Sequence, residues 1–329
     1  MLYGLVLRLR HLAYDKCWKK SFEASVPTIC VGNITVGGTG KTPMTELIIK
    51  KLVENWKQPA VLSRGYKRKS KGFQIVKADG TAAMYGDEPL QIARKFPDIT
   101  VAVDKDRIHG CQQLSNAGVI VLDDAFQYRR LRATLNIILV DYNRPTFKDR
   151  LLPWGRLRDL PSRIKEADIV VVTKCPAEID DSEKEQWRKN LKLKADQKLF
   201  FTTIRYCAPQ PVFPEADIRF TYSKRVILMT GIANDAPLRN YLSDTYIIHH
   251  RLAFGDHHSF SQSDISRLMA LVKENPTDLI ITTEKDAQRL RDVSSMLLEL
   301  KQRLFYIPIE AAFLTPGEDA QFQDCLASL

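Results

Sequence analysis

A glycine-rich segment lodged between an apolar run and an amphipathic one limits what this chain can become more than any other feature. It reads Val31-Gly32-Asn33-Ile34-Thr35-Val36-Gly37-Gly38-Thr39-Gly40-Lys41-Thr42-Pro43. Glycines let backbone N–H groups converge on phosphate oxygens, and a helix beginning at Thr42 adds the positive end of its dipole. In such a phosphate-binding loop, or P-loop, Lys41 reaches the β- and γ-phosphates of a nucleotide and the Thr42 hydroxyl ligates magnesium. The segment departs from GxxxxGK[ST] only at Thr35, where the first glycine is expected. Thr35, Gly37, Gly38, Thr39 and Gly40 are therefore read with Lys41 and Thr42 as nucleotide contacts. A bare glycine turn is the alternative, but a GGTGKT core in this context has few structural reasons to exist.

The surroundings fit the cradle. Short β-branched runs at Thr28–Val31, Ala60–Ser63, Ile99–Val103, Val119–Leu122, Leu135–Val140 and Ile169–Thr173 read as buried strands. Amphipathic helices at Thr42–Asn55, Glu88–Lys95 and Asp104–Asn116 lie between them. That alternation predicts an α/β fold, a P-loop NTPase-like parallel sheet with helices on both faces and ligands at the carboxyl ends of the strands. The strand Leu199–Arg205 is followed by a Pro-rich linker, Cys207–Pro214, and a second alternating series then begins. Its strands are expected at Val226–Met229, Tyr246–Arg251, Leu279–Thr282 and Leu304–Ile307, with helices at Asp235–Tyr241, Gln262–Lys273 and Glu284–Arg291. At 329 residues the chain exceeds one compact core, so residues 1–207 are expected to form the nucleotide-binding domain and residues 208–329 a smaller α/β domain.

Composition narrows the partners. With 49 Lys+Arg against 39 Asp+Glu the formal charge is +10, which favours anionic partners without choosing among them. The six cysteines form no CxxC pair, so reduced thiols are expected rather than a zinc site or a disulfide framework. No apolar run approaches the roughly 18–20 residues that span a bilayer, and no cleavable leader is evident. The N-terminus instead carries Leu2, Leu5, Val6, Leu9, Leu12 and Ala13 at helical spacing among Arg8, Arg10, Lys16, Lys19 and Lys20. Such a helix suits an anionic membrane surface, or it docks on the protein's own core; both readings stand.

The run Val119–Leu122 ends in Asp123 and Asp124, an acidic partner for magnesium or its water shell. Val172-Thr173-Lys174-Cys175-Pro176 superficially resembles a guanine-reading tetrapeptide, but Pro176 stands where its carboxylate would be, so ATP is expected.

Taken in order, several blocks resemble one family. They are the extended cradle Gly32–Pro43, Leu62-Ser63-Arg64-Gly65-Tyr66, Gly86-Asp87-Glu88-Pro89, Asp123-Asp124-Ala125-Phe126-Gln127, Leu151-Leu152-Pro153 with Gly155-Arg156-Leu157-Arg158, Phe254-Gly255-Asp256-His257-His258, and Thr283-Glu284-Lys285-Asp286. Together they are similar to the tetraacyldisaccharide 4'-kinases of Gram-negative bacteria. The resemblance implies ATP- and Mg2+-dependent transfer of the γ-phosphate to the 4'-hydroxyl of an acylated glucosamine disaccharide 1-phosphate, forming lipid IVA. The work would be done peripherally, at the cytoplasmic face of the inner membrane. It further implies Asp87 as the carboxylate near the acceptor hydroxyl, working with His257 or its neighbour His258, and Asp123 and Asp124 serving the metal. Arg64, Gln127, Arg156 and Arg158 would meet substrate or phosphate, and Asp159 the nucleotide. Ala125, Tyr128 and Asp159 depart from the family pattern, where Gly, His and Glu are usual; the shorter Asp159 puts its nucleotide contact in question.

Two other classes compete. A nucleotide-switched binding or delivery protein would share the cradle but need no acceptor base. A nucleic-acid-dependent ATPase is motivated by net charge alone, and no module that reads RNA or DNA is present, so no nucleic-acid partner is expected.

Overall fold

The computed structural model of the chain describes residues 2–55 and 57–329. Its larger sheet has nine strands in the spatial order Ile309–Phe313, Lys198–Tyr206, Ile169–Thr173, Leu135–Asp141, Thr28–Gly32, Val119–Asp123, Pro59–Ser63, Thr100–Val103 and Gln74–Ile75. Every neighbouring pair is parallel except at the two edges. The interior strands are apolar almost throughout because both faces are covered, as parallel sheets require. Alternate residues feed two cores: Ile29, Val31, Val121 and Leu139 pack with Ile48 and Leu52 of the helix Lys41–Glu54, while Cys30, Leu122, Ile138 and Val140 pack on the other side.

A second, five-stranded sheet runs Gln210–Pro211, Leu304–Ile307, Leu279–Thr283, Arg225–Thr230 and Ile247–Ala253. It too is parallel except at its Gln210–Pro211 edge. Leu228, Leu238, Leu279 and Phe305 fill one of its faces, and Ile227, Leu268, Ile280 and Leu290 the other.

The chain does not end in this second sheet, as a unit running from 208 to 329 would require. After Pro308, the strand Ile309–Phe313 pairs antiparallel with Lys198–Tyr206, and the helix Pro316–Ala327 seats Phe322 and Leu326 in the first core. One residue separates two strands that belong to different sheets, so no turn composition marks the crossing. The helix expected over 104–116 is shorter, Arg107–Gln113, because the Asp106 carboxylate caps it by accepting from Ile108 N–H at 3.1 Å.

Candidate active site

The cradle strand Thr28–Gly32 sits at the middle of the larger sheet, and the ends of its neighbours converge around it. Gly32 is pinned by close packing: a Cβ there would lie 2.6 Å from Phe126 Cβ. Asn33 is fully buried and shapes the loop by donating from Nδ2 to Thr39 Oγ1 at 2.6 Å. Gly40 then turns into the helix with φ 79° and offers no side-chain cap. The first N–H groups of Lys41–Glu54 are thereby left facing outward for an anion. On the flank, Thr173 Oγ1 donates to the Thr39 carbonyl at 2.9 Å. Lys174 holds the Gly38 carbonyl and pairs with Asp141 at 2.7 Å. Thr35, Gly37 and Arg156 line a cleft here with Asp141, Arg144 and Asp149.

Asp123 lies opposite Val31 in register and is buried. Burial, then the charges of Glu88 and Asp124, push its carboxyl up to about 7. One oxygen accepts from Ser63 Oγ at 3.1 Å, while Oδ1 has no hydrogen-bond partner. A buried, unpartnered carboxylate oxygen beside a second acid fits a hard cation that keeps most of its water and takes few protein ligands. Asp124 adopts φ 49° beyond the strand end and is held by Arg158, with Lys41 Nζ 3.9 Å away. Burial alone would raise the Asp124 carboxyl, but Lys41 and Arg158 keep it below the usual carboxylate range.

Asp87 and His257 meet, although 170 residues separate them: His257 Nδ1 is 3.1 Å from Asp87 Oδ2. Asp87 opens the helix Asp87–Lys95 after Gly86, a position where a carboxylate complements the dipole. His257 takes φ 59° in the loop after Ile247–Ala253, and its N–H donates to the Gly231 carbonyl at 3.2 Å. Gly231 N–H in turn donates to Asp286 at 2.9 Å, so Asp286 fixes the loop that presents the imidazole. Lys285 Nζ lies 3.3 Å from His257 Nε2 and 3.4 Å from Glu88 Oε1. Because an ammonium can only donate, Nε2 is the acceptor and Nδ1–H points to Asp87. Burial works against ionised Asp87, but His257, Arg289 at 3.5 Å and Lys285 outweigh it and lower its pKa. Of the two candidate histidines, His257 faces Asp87. His258 bonds Asp264 at 2.9 Å and stacks on Phe254.

The other expected contacts divide. Arg64 is exposed, and its charge is felt by buried Arg107. Arg158 bridges Asp124 and Asn33 Oδ1. Gln127 turns back into the fold, donating from Nε2 to the Asn33 carbonyl at 2.7 Å. Asp159 is not placed as a nucleotide contact: it is 1% exposed and engages His11 Nε2 at 2.6 Å. Arg158 and Asp159 are successive residues in a bend, both backbone N–H groups donating to the Ile34 carbonyl, and their side chains go to different partners. Sequence reasoning missed Arg107, which donates to the Asp123 carbonyl at 3.2 Å, and it left Lys285 and Arg289 without roles. Lys285 fell inside a family block, whereas Arg107 had no signal beyond following a strand end.

His11 belongs to the helix Leu2–Asp15, which docks beside this site. Tyr3 Oη donates to the Arg158 carbonyl at 2.7 Å and Arg10 to the Gln127 carbonyl at 2.6 Å. Its outer face exposes Leu2, Leu5, Val6, Leu9 and Leu12, each more than 40% accessible. No helix among the described residues is long and apolar enough to cross a membrane.

A sequence model of the family described as Tetraacyldisaccharide-1-P 4'-kinase matches residues 1–328. The Tetraacyldisaccharide 4'-kinase of Phocaeicola vulgatus is 43% identical over 330 residues, 97% of this chain and 90% of that protein. Its namesake from Flavobacterium johnsoniae is 40% identical over 322 residues, 95% of this chain and 91% of that protein. Among solved structures, LpxK from Aquifex aeolicus in complex with ATP superposes with a TM-score of 0.75 at 26% identity, covering 99% of this chain and 96% of that one.

Proposed function

This chain belongs to the tetraacyldisaccharide-1-P 4'-kinase family, and from that premise we propose how its residues perform the family's reaction. It is an ATP-dependent kinase that moves the γ-phosphate of ATP to the 4'-hydroxyl of tetraacyldisaccharide 1-phosphate, giving lipid IVA. The backbone N–H groups of the 37–42 loop and Lys41 hold the nucleotide phosphates. Thr42, Asp123 and Asp124 would hold magnesium, which would supply positive charge beside the nucleotide phosphates.

The observation that carries the acceptor side is the 3.1 Å contact between Asp87 and His257, with Asp123 feeling the charge of the neighbouring Glu88. Asp87 stays ionised and receives the proton of the 4'-hydroxyl. His257 orients it through Nδ1–H, and Lys285 Nζ donates to Nε2 from the other side of the ring. A carboxylate with a lowered pKa is a weak base, but little negative charge is drawn from the attacking oxygen in a loose transition state, so orienting the hydroxyl matters more than early deprotonation. Arg158 and Arg156 stabilise charge on the moving phosphoryl group.

The lipid substrate reaches the site at a membrane surface. The apolar outer face of Leu2–Asp15 lies in the interface of an anionic bilayer, at the cytoplasmic face of the inner membrane. Docking through Arg158 and Gln127 sets that surface beside the site. Asp87→Asn and His257→Ala test the mechanism: each is expected to lower transfer to acylated disaccharide 1-phosphate by about 10²- to 10⁴-fold with ATP affinity retained. Full transfer by Asp87→Asn would exclude it as the acceptor base.

A further inference from the structure

Three helices each present part of the machinery, and their flanks meet in one buried cluster of charge. The helix Lys41–Glu54 begins with the nucleotide grip and carries Glu46 one turn below Thr42. The helix Asp87–Lys95 begins with the acceptor carboxylate, carries Gln91 one turn below it and ends at Lys95. The helix Glu284–Arg291 begins with Glu284, next to the Lys285 that touches His257. Lys95 Nζ lies 2.7 Å from Glu46 Oε2 and 3.7 Å from Glu284 Oε2. Gln91 Nε2 donates to the remaining Glu46 oxygen at 2.8 Å. Both carboxylates are buried, and the charge of Glu310 on the returning strand reaches the same cluster.

We infer that Lys95 is a positioning residue for phosphoryl transfer, locking the helix of the nucleotide grip to the two helices that present the acceptor groups. Two carboxylates from different helices face one ammonium in a region poor in water, where their attraction is strong and their mutual repulsion, unopposed, would be stronger. An apolar contact would hold the helices together but permit sliding. A lysine shared between two acids, with Gln91 fixing one of them, selects a single register. The lock acts through rigid helices, so a small rotation at Lys95 shifts Asp87 and Lys285 relative to an intact nucleotide grip. Burial, and then repulsion from Glu46, raise the Glu284 carboxyl, consistent with acids that depend on this lysine. The inference rests on the assignment of Asp87 as acceptor base.

The experiment uses the full chain with ATP, magnesium and acylated glucosamine disaccharide 1-phosphate, comparing wild type with Lys95→Met, Lys95→Arg, Glu284→Gln and Asp87→Asn. Lys95→Met is expected to lower kcat for transfer by about tenfold to a hundredfold, the scale of an ångström-level misplacement. The KM for ATP should hold, and more ATP should be hydrolysed per lipid phosphorylated. Lys95→Arg should recover most of the rate. Unchanged kcat and unchanged coupling of hydrolysis to transfer would overturn the lock. So would a parallel fall of kcat, ATP affinity and melting temperature, which would make Lys95 a fold element only. Should Lys95→Met fail to fold, the isosteric Glu284→Gln is judged by the same split between kcat and KM. Full transfer by Asp87→Asn would remove the basis of the inference whatever Lys95 does.

Discussion

Gly32 shows how much of the site depends on a single missing methyl group. Phe126 packs where a Cβ would stand, at 2.6 Å, and it follows directly on the Asp123-Asp124-Ala125 turn. Gly32→Ala should cost about 1–3 kcal/mol, read from the denaturant midpoint, and should weaken ATP binding by disturbing the cradle and the acidic turn together. Residues whose chemistry and position coincide were legible without coordinates. Lys41, Thr42, Asp123 and Asp87 each stand at the end of a strand or the start of a helix, where parallel sheets gather ligands. Asp159 was not legible, because its place beside Arg158 gives no sign that it turns to a buried histidine 148 residues away. Arg107 reads as a surface charge in a short helix until the fold tucks it beneath Asp123.

At the scale of elements, the N-terminal helix takes up one of two readings that periodicity left open, docking on the protein itself. It docks through Leu7, His11, Tyr3 and Arg10, yet keeps an unbroken apolar outer face. A hydrophobic pattern tells how many apolar faces a helix has but not which one the protein keeps, and a polar His11 on the inner side runs against the usual signal. Replacing Leu5 and Leu9 by Glu should weaken binding to anionic vesicles by about tenfold per residue, given roughly 1.5 kcal/mol for each lost burial, with little change in melting temperature. The His11–Asp159 pair has a pH signature. Burial raises the Asp159 carboxyl, but the hydrogen bond and charge of His11 outweigh it and lower its pKa. A lowered acid contributes stability above its unfolded value, about 3.9, and loses it as pH falls further. Proteolysis within residues 2–15 should therefore accelerate in that acid range, and His11→Ala should bring the same sensitivity to neutral pH. The strand Ile309–Phe313 escaped notice for a different reason: with Pro308 alone before it, a sheet change looks like one continuous strand.

For the whole molecule, the charge cluster between the helices sets a dependence on pH in the opposite sense. Burial and Glu46 push Glu284 up to about 7, while Lys95 and Arg291 oppose the shift and Glu310 lies close by. The folded state then binds this proton more tightly than the unfolded chain, so stability falls as pH rises from the ordinary carboxylate range, about 4.3, to neutrality. Glu284→Gln should flatten that part of the melting-temperature profile, and an unchanged slope would remove Glu284 from it. The sheet that presents His257 is attached differently from a domain appended at a chain end. The main chain leaves the larger sheet after Tyr206 and comes back at Ile309, and the two crossings touch, with Cys207 N–H donating to the Pro308 carbonyl at 2.9 Å. Paired straps laid side by side resist twisting about their own length far better than a lone cord does. The smaller half is thus tied at that seam as well as at the Lys95 cluster, and two separate attachments fix where His257 stands against Asp87.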